Sequence, residues 1–253
     1  MAGVIELFGL PGSGKSFLAN ALSTILVDSG IIVLQRSEAV RLCLQRKNDG
    51  FLASLFKKLP FALWHRIIHE HYCLPELMDF SSAHIGLTSF YHNRLEQSEE
   101  KPQVIRSIIG AFMMSCVERQ LIECYGRENE LVLIDEGFCH RFFTLYGNLM
   151  IACHEEEVQQ YVKLLPQLSG AIFIATSPDV AIDRMESRDR FPKLLASQSH
   201  ETMLEILQHG YLVLDQLTNE LEQRAISCFR YDGHTEDLGP LRNFCISSFG
   251  IVG

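Results

Sequence analysis

The chain has 253 residues, 47% of them hydrophobic and 21% charged, with a formal net charge of −9. A chain of this make-up buries roughly three quarters of its unfolded surface, so a single large domain over residues 1–253 is the expectation. The acidic balance argues against a broad nucleic-acid-binding face, because proteins that coat phosphate backbones carry an excess of Lys and Arg. No stretch approaches the roughly eighteen consecutive apolar residues of a membrane span. The early run "GVIELFGL" contains Glu6 and is too short and wrongly flanked for a signal peptide. Eight scattered cysteines, none in C-x-x-C spacing and most in apolar surroundings such as "RLCLQ", read as reduced core thiols of a cytoplasmic protein.

In chain order, "GVIELFG" (Gly3 to Gly9) is an apolar run that fits a buried strand. From Lys15 the period changes: Phe17, Leu18, Ala21, Leu22, Ile25 and Leu26 recur at helical spacing, and Gly30 is a stop. "IIVLQR" (Ile31 to Arg36) predicts a second strand. A long, mostly helical region follows to about Glu130, interrupted by the polar "EQSEEKPQ". "LVLIDEG" (Leu131 to Gly137) predicts a parallel central strand ending in acids, and "AIFIAT" (Ala171 to Thr176) another. Ser177, Pro178 and Asp179 then suit the cap, the first position and the first turn of a helix. A further helix from about Glu201 to Glu222, a last strand in "AISCFRYDG" and a short closing helix complete the chain. Strands alternating with helices predict a parallel sheet covered on both faces.

Between the first strand and its helix lies Gly9-Leu10-Pro11-Gly12-Ser13-Gly14-Lys15-Ser16, which satisfies G-x-x-x-x-G-K-[ST] in full. Wrapping a phosphate requires inward-pointing backbone N–H groups, and glycine tolerates the dihedrals involved. The helix that starts at Lys15 aims its positive end at the same phosphates. The Lys15 ammonium is placed to bridge β- and γ-phosphates, the Ser16 hydroxyl to bind Mg²⁺, and Phe17 continues the nucleotide-facing stretch. A metal partner belongs at the end of a neighbouring strand, where Asp135 stands. Glu136 follows it and is a candidate to polarise a nucleophile, either water or an acceptor hydroxyl.

Residues Ala2 to Arg36 and Leu131 to the C-terminus resemble the P-loop nucleoside and nucleotide kinases, and in outline the thymidylate kinases. The resemblance is carried by "FGLPGSGKSFLANAL", by "VLQRSE" (Val33 to Glu38) after the second strand, by "FIATSPDVAIDRMESRDR" and by "FRYDGHTEDLGPL", the segment beside which the adenine ring lies in that family. It implies a three-layer αβα P-loop NTPase fold with a five-stranded parallel sheet in order 2-3-1-4-5 and a large helical insertion between strands 2 and 3. It also implies ATP and Mg²⁺ as cofactors and a reaction that moves the γ-phosphoryl group to a small acceptor. Arg184 and Arg188, four apart on one helix face, are then the lid arginines, with Arg190 at the helix end; the lid spans 184–198 and the acceptor-binding insertion 42–130. Arg36, Glu38, Arg41 and Arg141 are acceptor-site candidates. The chain departs from the family after the strand-three acid, where an arginine is usual and this sequence has Asp135-Glu136-Gly137 with Arg141 later. The acceptor therefore stays open among nucleotides, nucleosides, sugars and other small metabolites.

The other class of function is a P-loop ATPase or switch that couples hydrolysis to a protein partner, which the acidic pair suits. Against it, the chain has no N-K-x-D guanine-reading motif and no L-S-G-G-Q signature. Expected partners are thus a nucleoside triphosphate and a small-molecule acceptor, with a homodimer kept as an option. In "WHRIIHEHY", His65 and His69 have metal-ligand spacing but no matching acid, and Lys57, Lys58, Phe61 and Trp64 read as an amphipathic helix over the acceptor pocket. Cys139-His140 has no visible third member of a nucleophilic triad.

Overall fold

A computed structural model describes residues 1–47, 74–189, 191–192, 195–196, 198–233 and 237–250. The histidine cluster at 65–71, the amphipathic "FKKLPFALWHRI" stretch and Arg190 lie outside the described residues. Five strands, β1 (Gly3–Gly9), β2 (Ile32–Gln35), β3 (Glu130–Ile134), β4 (Gly170–Ile174) and β5 (Cys228–Tyr231), form one sheet in the order β2-β3-β1-β4-β5. Every pairing is parallel. With helices on both faces, this is the three-layer P-loop NTPase architecture expected from the sequence.

The strands show why the sheet is covered twice. Successive side chains alternate faces, so Ile5 and Leu7 of β1 join Leu131, Leu133, Ile172 and Ile174 on one side. That layer is closed by α1 (Lys15–Asp28) and, at the end of the chain, α10 (Gly239–Phe249), which buries Leu241 and Cys245. Phe8 and Phe173 face the other way and stack with centroids 5.3 Å apart. Each such ring, fully buried, contributes roughly 1.5–3 kcal/mol. Of the strand bounds, the second is shorter than expected: Arg36 already begins a helix.

Between β2 and β3 the described residues hold four helices: α2 (Arg36–Lys47), α3 (Leu74–Ala83), α4 (Ile85–Glu96) and α5 (Pro102–Tyr125). The polar break falls where "EQSEEKPQ" predicts it, with Pro102 in the first turn of α5. After β3 come three pieces that the sequence pattern leaves unresolved: α6 (Phe138–Phe142), a π-turn (Phe143–Gly147) and α7 (Glu155–Leu164). α8 (Pro178–Glu186) and α9 (His200–Gln223) complete this layer. Ser177 occupies the cap position of α8, but its side chain makes no capping bond; Pro178 alone sets the start. The capping hydroxyl is instead found at α9, where Ser199 Oγ accepts from the Thr202 N–H at 3.1 Å.

Candidate active site

The loop between β1 and α1 needs its glycines for stated reasons. Gly12 and Gly14 sit at φ +81° and +97°, a region that side chains strain, and a Cβ on Gly12 would run into the Ala181 carbonyl of α8. The loop is pinned from outside: Thr176 Oγ1 and Arg184 Nη1 both donate to the Ser13 carbonyl, at 3.2 and 3.1 Å. Lys15 is buried and its Nζ donates to the carbonyls of Gly9 (3.1 Å) and Leu10 (2.9 Å). Burial lowers its pKa to about 8, against the pull of Glu136 and Asp135, which favour the charged form. Ser16 Oγ donates to Asp135 Oδ2 at 2.7 Å, joining the start of α1 to the end of β3. A hydroxyl and a carboxylate so placed are groups that could hold Mg²⁺ beside a bound phosphate. No group of three or more His, Cys, Asp or Glu able to hold a metal occurs among the described residues.

Glu136 is half exposed and stands between two guanidinium groups. Arg36 Nη1 lies 3.6 Å and Arg141 Nη2 3.7 Å from its Oε2, and Arg141 Nη2 also donates to the Glu136 carbonyl at 3.1 Å. Gly137 explains why no arginine follows the acids: a side chain there would collide with the buried carboxylate of Glu6. Glu6 points from β1 to the same face as Phe8, and its Oε2 accepts from the Cys139 N–H at 2.7 Å, satisfying a free donor at the start of α6. α6 therefore starts at once after the acids, and its first turn carries His140 and Arg141 inward.

These groups surround one cleft of about 570 Å³. One end is lined by Pro11, Gly12, Gly14, Lys15, Ser16 and Phe17, with Arg184 and Arg188 beside them. The facing wall is made by Ser107, Ile108 and Ala111 of α5, by Glu136, His140, Arg141, Phe143, Thr144 and Asn148, and by Phe191. Arg184 and Arg188 do not share a helix face, since α8 ends at Glu186 and Arg188 follows in the turn; both nonetheless reach the cleft. Glu38 and Arg41 are exposed on α2 and do not line it, and Arg36 stands behind Glu136. Of the expected lid, residues 190, 193–194 and 197 lie outside the described set.

His140 has no role assignable from sequence alone. It is buried against Phe143, with ring centroids 5.6 Å apart. Burial, and then the neighbouring charges of Lys15 and Arg141, hold its pKa well below the ordinary value, so the imidazole is neutral. The only signal is its nearness in sequence to the acidic pair; Glu136 itself precedes the extended cap Gly137 and lies outside α6. Ser107, Thr144 and Asn148 give no comparable signal.

No protein-family model matches the chain, and no curated protein matches it either. Among solved structures, it is similar to a deoxyadenosine kinase from M. mycoides with products dCMP and a flexible dCDP bound, at 14% identity and a TM-score of 0.45 over 98% of this chain and 100% of that one. The same kinase with bound dCTP gives 15% identity and a TM-score of 0.44 over 98% and 100%, and with bound dATP 14% and 0.42 over 96% and 97%. At these values the likeness adds nothing to the strand order, which carries the fold assignment by itself.

Proposed function

We propose that the protein is a P-loop phosphotransferase of the nucleoside kinase type, moving the γ-phosphoryl group of ATP·Mg²⁺ to a hydroxyl-bearing small acceptor. The observation that carries this reading is a cleft that brings the phosphate loop together with polar and aromatic groups of α5, α6 and the π-turn. Beside the phosphate loop, that lining offers hydroxyl, amide and aromatic groups to a second molecule.

In this reading Gly9, Pro11, Gly12, Ser13, Gly14, Lys15, Ser16 and Phe17 hold the triphosphate. Lys15, whose Nζ donates to the Gly9 and Leu10 carbonyls, would exchange them for phosphate oxygens. Ser16 and Asp135 would hold Mg²⁺, which would supply neutralisation of charge on the phosphoryl oxygens. Arg184 and Arg188 add positive charge where negative charge develops during transfer, and Glu136 accepts a hydrogen bond from the acceptor hydroxyl and orients it. Such catalysis is positioning and charge neutralisation with little covalent work by the protein. Arg141, within the cleft, belongs to the acceptor side, as does the insertion 42–130 through its α5 face; the segment 184–198 serves as the arginine-bearing lid.

The test is incubation with [γ-³²P]ATP and Mg²⁺, with and without pooled nucleosides, nucleoside monophosphates and sugars. Labelled acceptor that disappears in Lys15→Ala is the expected result. Phosphate release that ignores every acceptor overturns the reading and favours a hydrolytic switch.

A further inference from the structure

Glu136 has two cationic neighbours, yet neither grips it in the close two-pronged manner of an arginine–carboxylate pair. The reason lies one layer back, on α5. Arg36 gives its Nε to Glu118 Oε2 at 2.8 Å, and Arg141 gives its Nε to Ser115 Oγ at 2.9 Å. Glu118, Ser115 and Arg141 are all buried, with exposures of 8%, 4% and 5%. Each guanidinium is therefore anchored by its inner nitrogen and offers Glu136 only a terminal N–H, at 3.6 and 3.7 Å. An unanchored arginine would swing round and chelate both carboxylate oxygens, using the lone pairs an acceptor hydroxyl needs. Held back, the two arginines bracket the carboxylate without capturing it.

The same helix face reaches the cleft. Ser107, Ala111, Ser115 and Glu118 are spaced i, i+4, i+8 and i+11, one stripe of α5. Ser107 and Ala111 line the cleft, and one to two turns further on the stripe holds the arginines.

We infer that Glu118 and Ser115 are positioning residues for phosphoryl transfer, which keep Arg36 and Arg141 off full contact with Glu136 and so leave its carboxylate turned to the acceptor. This rests on the kinase reading above, in which Glu136 orients the hydroxyl. It also gives the helical insertion a part in the chemistry besides walling the cleft.

A double-mutant cycle tests it, run on the acceptor that the pooled assay identifies. Glu118→Gln lowers kcat about 10- to 30-fold while KM for acceptor and the Kd for MgATP stay within about threefold. Ser115→Ala, acting through Arg141, gives a smaller loss of about three- to fivefold. In a Glu136→Gln background both losses vanish, because the residue through which they act is already gone. Losses that multiply with Glu136→Gln overturn the inference, as does a Glu118→Gln protein whose defect lies in MgATP affinity. Should Glu118→Gln fail to fold, Ser115→Ala carries the same cycle. A wild type that hydrolyses ATP without transfer overturns the kinase reading, and the cycle is then read on hydrolysis, with water at the carboxylate. A wild type that does neither overturns both.

Discussion

The phosphate end of the cleft comes almost wholly from one stretch, Gly9 to Phe17, whereas the facing wall draws on α5, α6, the π-turn and the segment after α8. The first is held by backbone geometry and by bonds to carbonyls; the second by buried or half-buried side chains that meet from positions far apart in sequence, such as Arg36 with Glu118 and Arg141 with Ser115. One end thus rests on a short motif and the other on a tertiary assembly. The expectation from this division is that a substitution at one end mainly changes binding at that end, although Glu136 and Arg141 act electrostatically on Lys15.

Lys15→Ala is the strongest way to break this division. Removing the ammonium is expected to abolish transfer and weaken MgATP by about 100-fold or more, the scale of one charge-assisted bond to phosphate in a buried site. Calorimetry decides, and any Arg141 variant that weakens MgATP equally defeats the comparison. The pH dependence follows from burial: with its pKa lowered to about 8, Lys15 is charged below that pH and neutral above it. MgATP affinity should therefore fall above about pH 8, with proton uptake on binding, seen as a heat that changes with buffer. For folding the sign is the opposite of a salt bridge: the cost of burying the charge is full below about pH 8 and relieved as pH rises toward 10.5.

Asp135→Asn comes next. It keeps a partner for Ser16 but removes the charge, and about a 100-fold loss of Mg²⁺-dependent transfer is expected, partly restored by raising Mg²⁺. Gly210→Ala sharpens the other side. Gly210 of α9 lies against the Phe143 ring with no room for a methyl group, so the variant should lose about 1–3 kcal/mol in thermal unfolding and displace Phe143 from the cleft wall. Acceptor KM rises while the Kd for MgATP holds. Glu38→Ala and Arg41→Ala are the smallest: both side chains are exposed and away from the cleft, so transfer within about twofold of wild type and stability within about 0.5 kcal/mol are expected.

The same division governs what can be read from sequence. The strands and the loop are legible because β1 and β3 are largely apolar runs, Glu6 and Glu130 apart, and because eight adjacent residues state their own chemistry; the strand order follows only from the family resemblance. Asp135 is legible as the acid ending a strand. Glu38 and Arg41 group with Arg36 by proximity in sequence, but α2 begins at Arg36 and turns them outward. The elements between Gly137 and Gly170 are hard to read because aromatic residues crowd both faces of "FCHRFFTLYG", hiding any period, and because the π-turn breaks the 3.6-residue repeat. Thr144 and Asn148 carry no motif; only the path of the π-turn brings them to the cleft.

The outer tether of the loop has a directional consequence. A trans peptide unit points its carbonyl and the next residue's N–H to opposite sides. Because Thr176 and Arg184 hold the Ser13 oxygen, the Gly14 hydrogen on the same rigid plane is fixed in the opposite direction. Two side chains more than 160 positions away thus fix the aim of one dipole before any anion arrives.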